Sequence, residues 1–299
     1  MKDIIKKLND KLKSQFYYNH DVGKLTWFRT GGKSKLFIIV EDKNELEIIL
    51  NELSIIKFYI IGSGSNILIR DKGFEGGILK LGKEFNKIKI HNNSLQVGAS
   101  LYDMQLSNFA MKNRLQGFEF YSGIPGTIGG AVKMNAGCYG NETKDILNRV
   151  EIINIKGEKK IISKDNLKLD YRISNIKSDQ IITSVDFKFK YGNIEQIKEK
   201  INFIKKHRND TQPITEKTSG STFKNPKNKF AAKLIEEAGC KGMMNGNASI
   251  SKKHANFIIN NGNATATEIE KLGNEVVEKV YKKFSVLLDW EIKIIGDKN

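Results

Sequence analysis

The chain has 299 residues, enough for two or three domains whose cores need no covalent staples. With 39% hydrophobic and 28% charged residues it belongs among globular rather than disordered chains; two cysteines exclude a disulfide scaffold or a cysteine-rich zinc site, and no apolar run approaches the roughly 18 residues of a membrane span. The formal charge of +16 hints at an anionic partner, but only six of the 50 basic residues are arginine and the lysines run evenly from Lys2 to Lys298, which speaks for composition rather than a nucleic-acid face.

The first fourteen residues carry charge throughout and no apolar core, so they read as a short amphipathic helix and not as a secretory signal. A reducing cytoplasm is the expected compartment. A helix is expected over 43–54 and a strand over 58–61 that runs into a glycine turn. Short β-like runs follow at 67–69, 77–81, 87–91 and 94–98, the last two forming a hairpin about Asn92-Asn93. Residues 101–113 read as helix, 117–140 as a Gly-rich stretch with no regular element, 150–155 and 158–162 as a hairpin about Lys156-Gly157, and 181–190 as a strand. From 194 the pattern turns helical: Ile194, Ile197, Ile201 and Ile204 share one face. A second helix fits 228–238, stopped by Gly239, and a third fits 267–284, with Ile269, Leu272, Val276, Val280 and Phe284 in one stripe and Thr267 and Glu270 as its capping box. Residues 287–295 suggest a closing strand. Glu268, Glu270, Glu275 and Glu278 read as a solvated helix face, and Cys138 and Cys240 as small buried side chains.

Two segments carry chemistry on their own account. Gly62-Ser63-Gly64-Ser65-Asn66 leaves a strand with residues small enough for a backbone to approach a ligand and present its N–H groups to an anion. It lacks the helix of a dinucleotide fingerprint, and the chain contains no Gly-Lys-Ser/Thr phosphate loop. Ser122-Gly123-Ile124-Pro125-Gly126-Thr127-Ile128-Gly129-Gly130 has apolar flanks and so should be buried; its backbone N–H groups then need partners, which a pyrophosphate could supply. A plain turn and a glycine-rich packing corner are the alternatives. The four histidines show no metal-ligand spacing, so no metal is expected.

Taken in order, GSGSN, SGIPGTIGGAVKMNAGCYG, DYR, SGSTFKNP, AGCKG and SKKHANFIIN resemble the UDP-N-acetylenolpyruvoylglucosamine reductases, in their shorter, type II form, over about Trp27 to Gly296. The first two motifs alone mark only the wider PCMH/vanillyl-alcohol-oxidase-like flavin-binding superfamily. The resemblance implies an α+β fold with a two-part FAD-binding region, residues 1–83 (joined by the tail 292–299) and 84–193, and a substrate-binding domain over 194–291. It implies non-covalent FAD held by Gly62, Ser63, Gly64, Ser65, Asn66, Ser122, Gly123, Ile124, Pro125, Gly126, Thr127, Gly129 and Gly130, with NADPH as co-substrate. The implied reaction reduces the enolpyruvyl ether of UDP-N-acetylglucosamine to UDP-N-acetylmuramate in peptidoglycan precursor synthesis.

Such a reduction puts carbanion character on a carbon beside a carboxylate, so it needs a charge stabiliser and a proton donor. On the resemblance, Ser221 is the donor, Arg172 the guanidinium that forks onto the carboxylate, and Glu291 the carboxyl beside the developing enolate. Lys224, Asn225, His254, Asn256 and Arg208 are implied substrate-binding candidates. A monomer is expected, acting on a small sugar-nucleotide and touching neither nucleic acid nor membrane. The rival readings are another FAD-dependent dehydrogenase or oxidase of the superfamily, which would have no use for the SGSTFKNP motif, and a lysine-rich binding module for nucleic acid or an anionic wall polymer.

Overall fold

The computed structural model describes residues 2–298 and has mixed helix and strand throughout, as the α+β reading expects. The elements to residue 81 are α1 (Lys2–Lys11), β1 (Gln15–His20), β2 (Ser34–Val40), α2 (Lys43–Glu52), β3 (Phe58–Ile61), β4 (Ile67–Ile69) and β5 (Phe74–Leu81). Then come β6 (Ile88–His91), β7 (Ser94–Gly98), α3 (Asp103–Lys112), β8 (Leu115–Gln116), α4 (Ile128–Lys133), β9 (Gly137–Cys138), β10 (Asn141–Glu142), α5 (Thr143–Ile146), β11 (Leu147–Asn154), β12 (Lys159–Ser163), β13 (Gln180–Lys188) and β14 (Lys190–Tyr191). The last stretch holds α6 (Ile194–Thr211), α7 (Ala231–Glu237), β15 (Met244–Asn245), β16 (Ala248–Ile250), β17 (Ile258–Asn260), α8 (Ala266–Phe284) and β18 (Lys293–Ile295). These residues gather into two units. The first takes the chain up to Tyr18, Leu36–Ser63 and Gly76–Lys206; the second takes Asn19–Lys35, Gly64–Glu75 and everything from His207 on.

In the first unit a four-stranded sheet has the order β1-β2-β5-β3, with β3 parallel to β5 and Phe58 opposite Gly77. Helix α1 buries Ile5 and Leu8, and α2 buries Leu46, Ile49 and Leu50, the i, i+3, i+4 spacing that presents one apolar face. Asp42 starts α2 by accepting the N–H groups of Asn44 and Glu45. A second sheet runs β12-β11-β13-β7-β6, antiparallel in every pairing, and contains both expected hairpins. Its middle strand β13 is buried from Ile181 to Phe187, the run expected of a strand covered on both faces.

The stretch 117–140 departs from expectation: it is not without regular structure. A 3-10 turn spans Glu119–Gly123, α4 follows Pro125-Gly126-Thr127, and β9 and β10 pair antiparallel. Ile128, Ala131 and Val132 explain α4, because they fall at i, i+3 and i+4 and are all buried; the two glycines between them hide that period. Cys138 is only partly buried, whereas Cys240 is fully so.

In the second unit α8 lays Ile269, Leu272, Val276 and Val280 into a core with Phe28, Leu68, Phe223, Leu234, Ile235, Ile250 and Ile258. Each such side chain contributes about 1.5–3 kcal/mol by leaving water. The expected capping box is displaced by two residues: Thr265 and Glu268 form it. Thr267 instead gives its backbone N–H and hydroxyl to Asp71, at 2.8 and 2.6 Å, and Ala266 N–H adds a third bond at 2.9 Å. Nor are Glu268 and Glu270 simply solvated, since Glu270 receives a two-pronged bond from Arg70, 2.9 Å on each side. Helix α7 starts at Ala231, three residues later than expected. Of the expected closing strand only Lys293–Ile295 forms, and it pairs parallel with β4.

Candidate active site

The two glycine segments meet inside the first unit. A Cβ on Gly62, at the end of β3, would lie 2.3 Å from Thr127 Oγ1, so no side chain fits there. Beyond it, Asp103 N–H donates to Gly126 O (3.2 Å), Ile128 N–H to Leu101 O (2.9 Å) and Gly129 N–H to Ala99 O (2.8 Å), which straps the loop to the entrance of α3. Ser122, Gly123 and Thr127 are buried, Ser63, Ile124, Pro125, Gly126 and Gly129 are half-buried, and Gly130 is exposed. Ser122 Oγ is buried with no partner among the described residues, as are both carboxyl oxygens of Asp103 and the hydroxyl of Ser107, one turn further along α3. Burial pushes the Asp103 carboxyl well above the usual carboxylate range, favouring its protonated form. The only sequence signal for Asp103 is an acid occupying the apolar stripe of α3, in line with Leu106 and Ala110. A glycine-lined loop whose buried hydroxyl lacks a partner suits the phosphates of FAD.

Gly64, Ser65 and Asn66 fall in the second unit, where Gly64 takes a φ of +73° and accepts Trp27 N–H at 3.0 Å. Asn66 is the fastening point. Its Nδ2 donates to Glu291 O (3.2 Å) and its own carbonyl accepts Lys293 N–H (3.1 Å), just before β4 pairs with β18.

The Ser221 segment lies against the Glu291 segment. Lys224 N–H donates to Asp289 O at 2.9 Å, Glu291 N–H donates to Thr222 O at 2.8 Å, and Phe223 and Trp290 form the bridge between them. This register puts Ser221 one residue from the position opposite Glu291. Both residues are half-buried. Gly220 supplies the left-handed turn, φ +75°, that brings the chain into the ladder. Asn256 then clamps the segment: its Oδ1 accepts Phe223 N–H (2.9 Å), its Nδ2 donates to Phe223 O (2.8 Å), and its carbonyl accepts Thr222 N–H (2.8 Å). Asn256 is buried, and its amide serves the backbone that carries Ser221.

Among the other expected binding residues, Lys224 is half-buried, Asn225 is exposed and accepts Ala231 N–H at the start of α7 (2.9 Å), and Arg208 is half-buried on α6. His254 packs its ring against Phe257 with Nδ1 buried and unpartnered among the described residues, and burial lowers its pKa, so the neutral form dominates at pH 7. Asn260 escapes sequence reasoning. It fixes Phe28 O (2.8 Å) and the N–H groups of Gly262 and Ala264 (2.9 and 3.0 Å), a task with no signature because every partner is backbone.

Arg172 lies in the first unit, at the tip of a turn closed by Asp170 and Ile173, whose N–H groups each donate to the other's carbonyl. Its φ is +57°, its Nη2 donates to Gly137 O at 3.2 Å, and its guanidinium stands 4.8 Å from the centre of the Tyr171 ring. Among the described residues no group of His, Cys, Asp or Glu could hold a metal ion, and no helix is long and apolar enough to cross a membrane.

Together these features define an FAD-binding flavoprotein: residues 34–163 match the FAD binding domain family, and residues 212–295 match the family described as UDP-N-acetylenolpyruvoylglucosamine reductase, C-terminal domain. The UDP-N-acetylenolpyruvoylglucosamine reductase of Rickettsia prowazekii is 44% identical over 289 residues, covering 95% of this chain and 97% of that protein; that of Rickettsia bellii is 44% identical over 290 residues, covering 95% of each. The crystal structure of the Thermus caldophilus enzyme superposes with a TM-score of 0.83 at 30% identity, over 95% of this chain and 100% of that one. The chain belongs to the UDP-N-acetylenolpyruvoylglucosamine reductase family. A glucose dehydrogenase, Phl p 4.0202, shares the fold over 64% of the chain and 44% of its own, with a TM-score of 0.51 at 10% identity.

Proposed function

We propose that this chain reduces the enolpyruvyl ether of UDP-N-acetylglucosamine to UDP-N-acetylmuramate with NADPH, in peptidoglycan precursor synthesis, and that Arg172, Ser221 and Glu291 carry the reaction. FAD, when bound, supplies the two-electron hydride chemistry. Residues 62–66 and 122–130 would hold it non-covalently, within a region formed by 1–83, the tail 292–299 and 84–193, while 194–291 takes the sugar-nucleotide.

Hydride addition to the enolpyruvyl methylene leaves negative charge on the adjacent carbon and, through conjugation, on the carboxylate. Arg172 answers that charge with a permanent cation that binds the carboxylate in a fork and holds it more tightly as charge grows. Ser221 gives its hydroxyl proton to the carbon; serine is a weak acid, but a carbanion is a strong enough base to take the proton downhill. The Glu291 carboxyl stabilises the same charge by hydrogen bonding. Lys224 and Arg208 add positive charge for the diphosphate, and Asn225, His254 and Asn256 shape the surroundings. The observation that best supports this assignment is the ladder of Thr222–Lys224 on Asp289–Glu291, which joins the backbone segment that carries Ser221 to the one that carries Glu291. On this reading the protein acts as a monomer in the cytoplasm.

Rapid-mixing absorbance tests the roles. Ser221→Ala should leave bleaching of the flavin by NADPH nearly unchanged and slow its re-oxidation by substrate about 10²–10⁴-fold, the usual worth of a positioned acid. Equal slowing of both half-reactions would make Ser221 structural.

A further inference from the structure

Asn135 is fully buried, sits just after α4, and takes a φ of +42° that asparagine tolerates better than most residues. Every polar atom of its side chain is engaged. Nδ2 donates to Asp170 O and to Glu142 Oε2, both at 3.1 Å, and Oδ1 accepts Lys144 N–H at 2.9 Å. Asp170 O is the same carbonyl that accepts Ile173 N–H to close the Arg172 turn. Glu142 belongs to the β9–β10 hairpin, whose Gly137 carbonyl accepts the Arg172 guanidinium. One amide thus fastens both the turn that carries Arg172 and the hairpin that receives its side chain. A second tie runs parallel: Ser174 Oγ donates to Lys133 O (2.7 Å), and Lys133 Nζ donates to the carbonyls of Ile176 and Lys177.

A left-handed φ is strained for an arginine, so the Arg172 turn keeps that shape only while its surroundings hold it. We infer that Asn135 is the positioning residue for Arg172, setting the guanidinium for the substrate carboxylate through the Asp170 carbonyl and the β9–β10 hairpin. This rests on the proposed role of Arg172, and the test separates the two. Asn135→Gly removes the amide and still accepts the positive φ. It should slow flavin re-oxidation about 10–100-fold, the scale of a misplacement near 1 Å, and raise the substrate KM, with NADPH bleaching changed less than about twofold. In an Arg172→Ala background the same substitution should add less than about twofold, because its only route of action is gone.

Should Asn135→Gly fail to fold, Asn135→Asp keeps the size and the acceptor for Lys144, loses both donors, and should give the same pattern. An unchanged re-oxidation rate in a folded variant overturns the inference. So does an equal loss with and without Arg172, which would make Asn135 a general structural residue. Normal re-oxidation in Arg172→Ala alone would instead sink the role of Arg172.

Discussion

Gly273 lies in the middle of α8, where glycine is about 1 kcal/mol less favourable than alanine. On helix propensity alone, Gly273→Ala should stabilise the protein by that amount. The structure reverses the sign. A Cβ there would sit 2.1 Å from Trp290 Cη2 and 2.3 Å from Cζ2, against an ordinary carbon contact of about 3.5–4.0 Å. The indole must therefore retreat by more than about 1 Å, and overpacking of this kind costs about 1–3 kcal/mol. Its retreat is opposed by Phe223, whose ring centre is 5.1 Å from that of Trp290 and whose backbone is bridged to it. The expected net effect is a destabilisation of about 0–2 kcal/mol, with Asp289–Glu291 loosened from Thr222–Lys224. Urea unfolding in a Trp27→Phe background leaves Trp290 as the sole indole, so the same titration reports stability and, through its native emission, any shift of the ring. Re-oxidation by substrate should slow more than NADPH bleaching. A gain of about 1 kcal/mol with unchanged emission would refute the close approach.

Asn256→Ala strips partners from Phe223 N–H and C=O, which are buried; each group left unsatisfied costs about 1–3 kcal/mol, so the urea midpoint should fall markedly, and a change under about 0.5 kcal/mol would contradict the clamp. Asp103→Asn addresses pH. The native carboxyl keeps a proton that the unfolded chain releases near its ordinary value of 3.8, so stability declines as pH rises above that point toward the raised native pKa. The asparagine cannot ionise, and its stability should decline less as pH rises above that point; parallel curves would show that Asp103 does not titrate as argued. His254→Phe tests the opposite slope. The folded-state pKa is lowered, so His254 costs stability as pH falls through about 6.5, where the unfolded chain gains a proton first, and the substitution should flatten that acid-side loss.

The start of α8 shows where sequence reasoning stops. Thr265-x-x-Glu268 and Thr267-x-x-Glu270 are equally good capping boxes on paper. Asp71 and Arg70 decide between them by claiming Thr267 and Glu270, and they lie almost two hundred residues away in the chain. The apolar stripe of the same helix was legible because its period is local. Likewise α4 stayed hidden because two of its six residues are glycine, whereas the density of those glycines marked the loop as a place of close backbone approach. For the site, only the resemblance distinguished Ser221 and Glu291 from an ordinary turn hydroxyl and a strand carboxylate. Asn135, Asn260 and the clamping role of Asn256 were beyond reach, since these amides act chiefly on backbone atoms that any residue could have provided.

The two units are interleaved along the chain, which passes from one to the other five times. Asn66 is bonded to Glu291 across a separation of 225 residues. At a synthesis rate of about 5–20 residues per second, Asn66 leaves the ribosome roughly 10–45 s before its partner exists. The first unit can be complete by then, but the second cannot. Strand β4, in segment 64–75, is made early and must wait for β18. One short strand is therefore held out unpaired until translation is nearly over, and the half of the machinery that carries Ser221 and Glu291 is the last part of the protein to come into being.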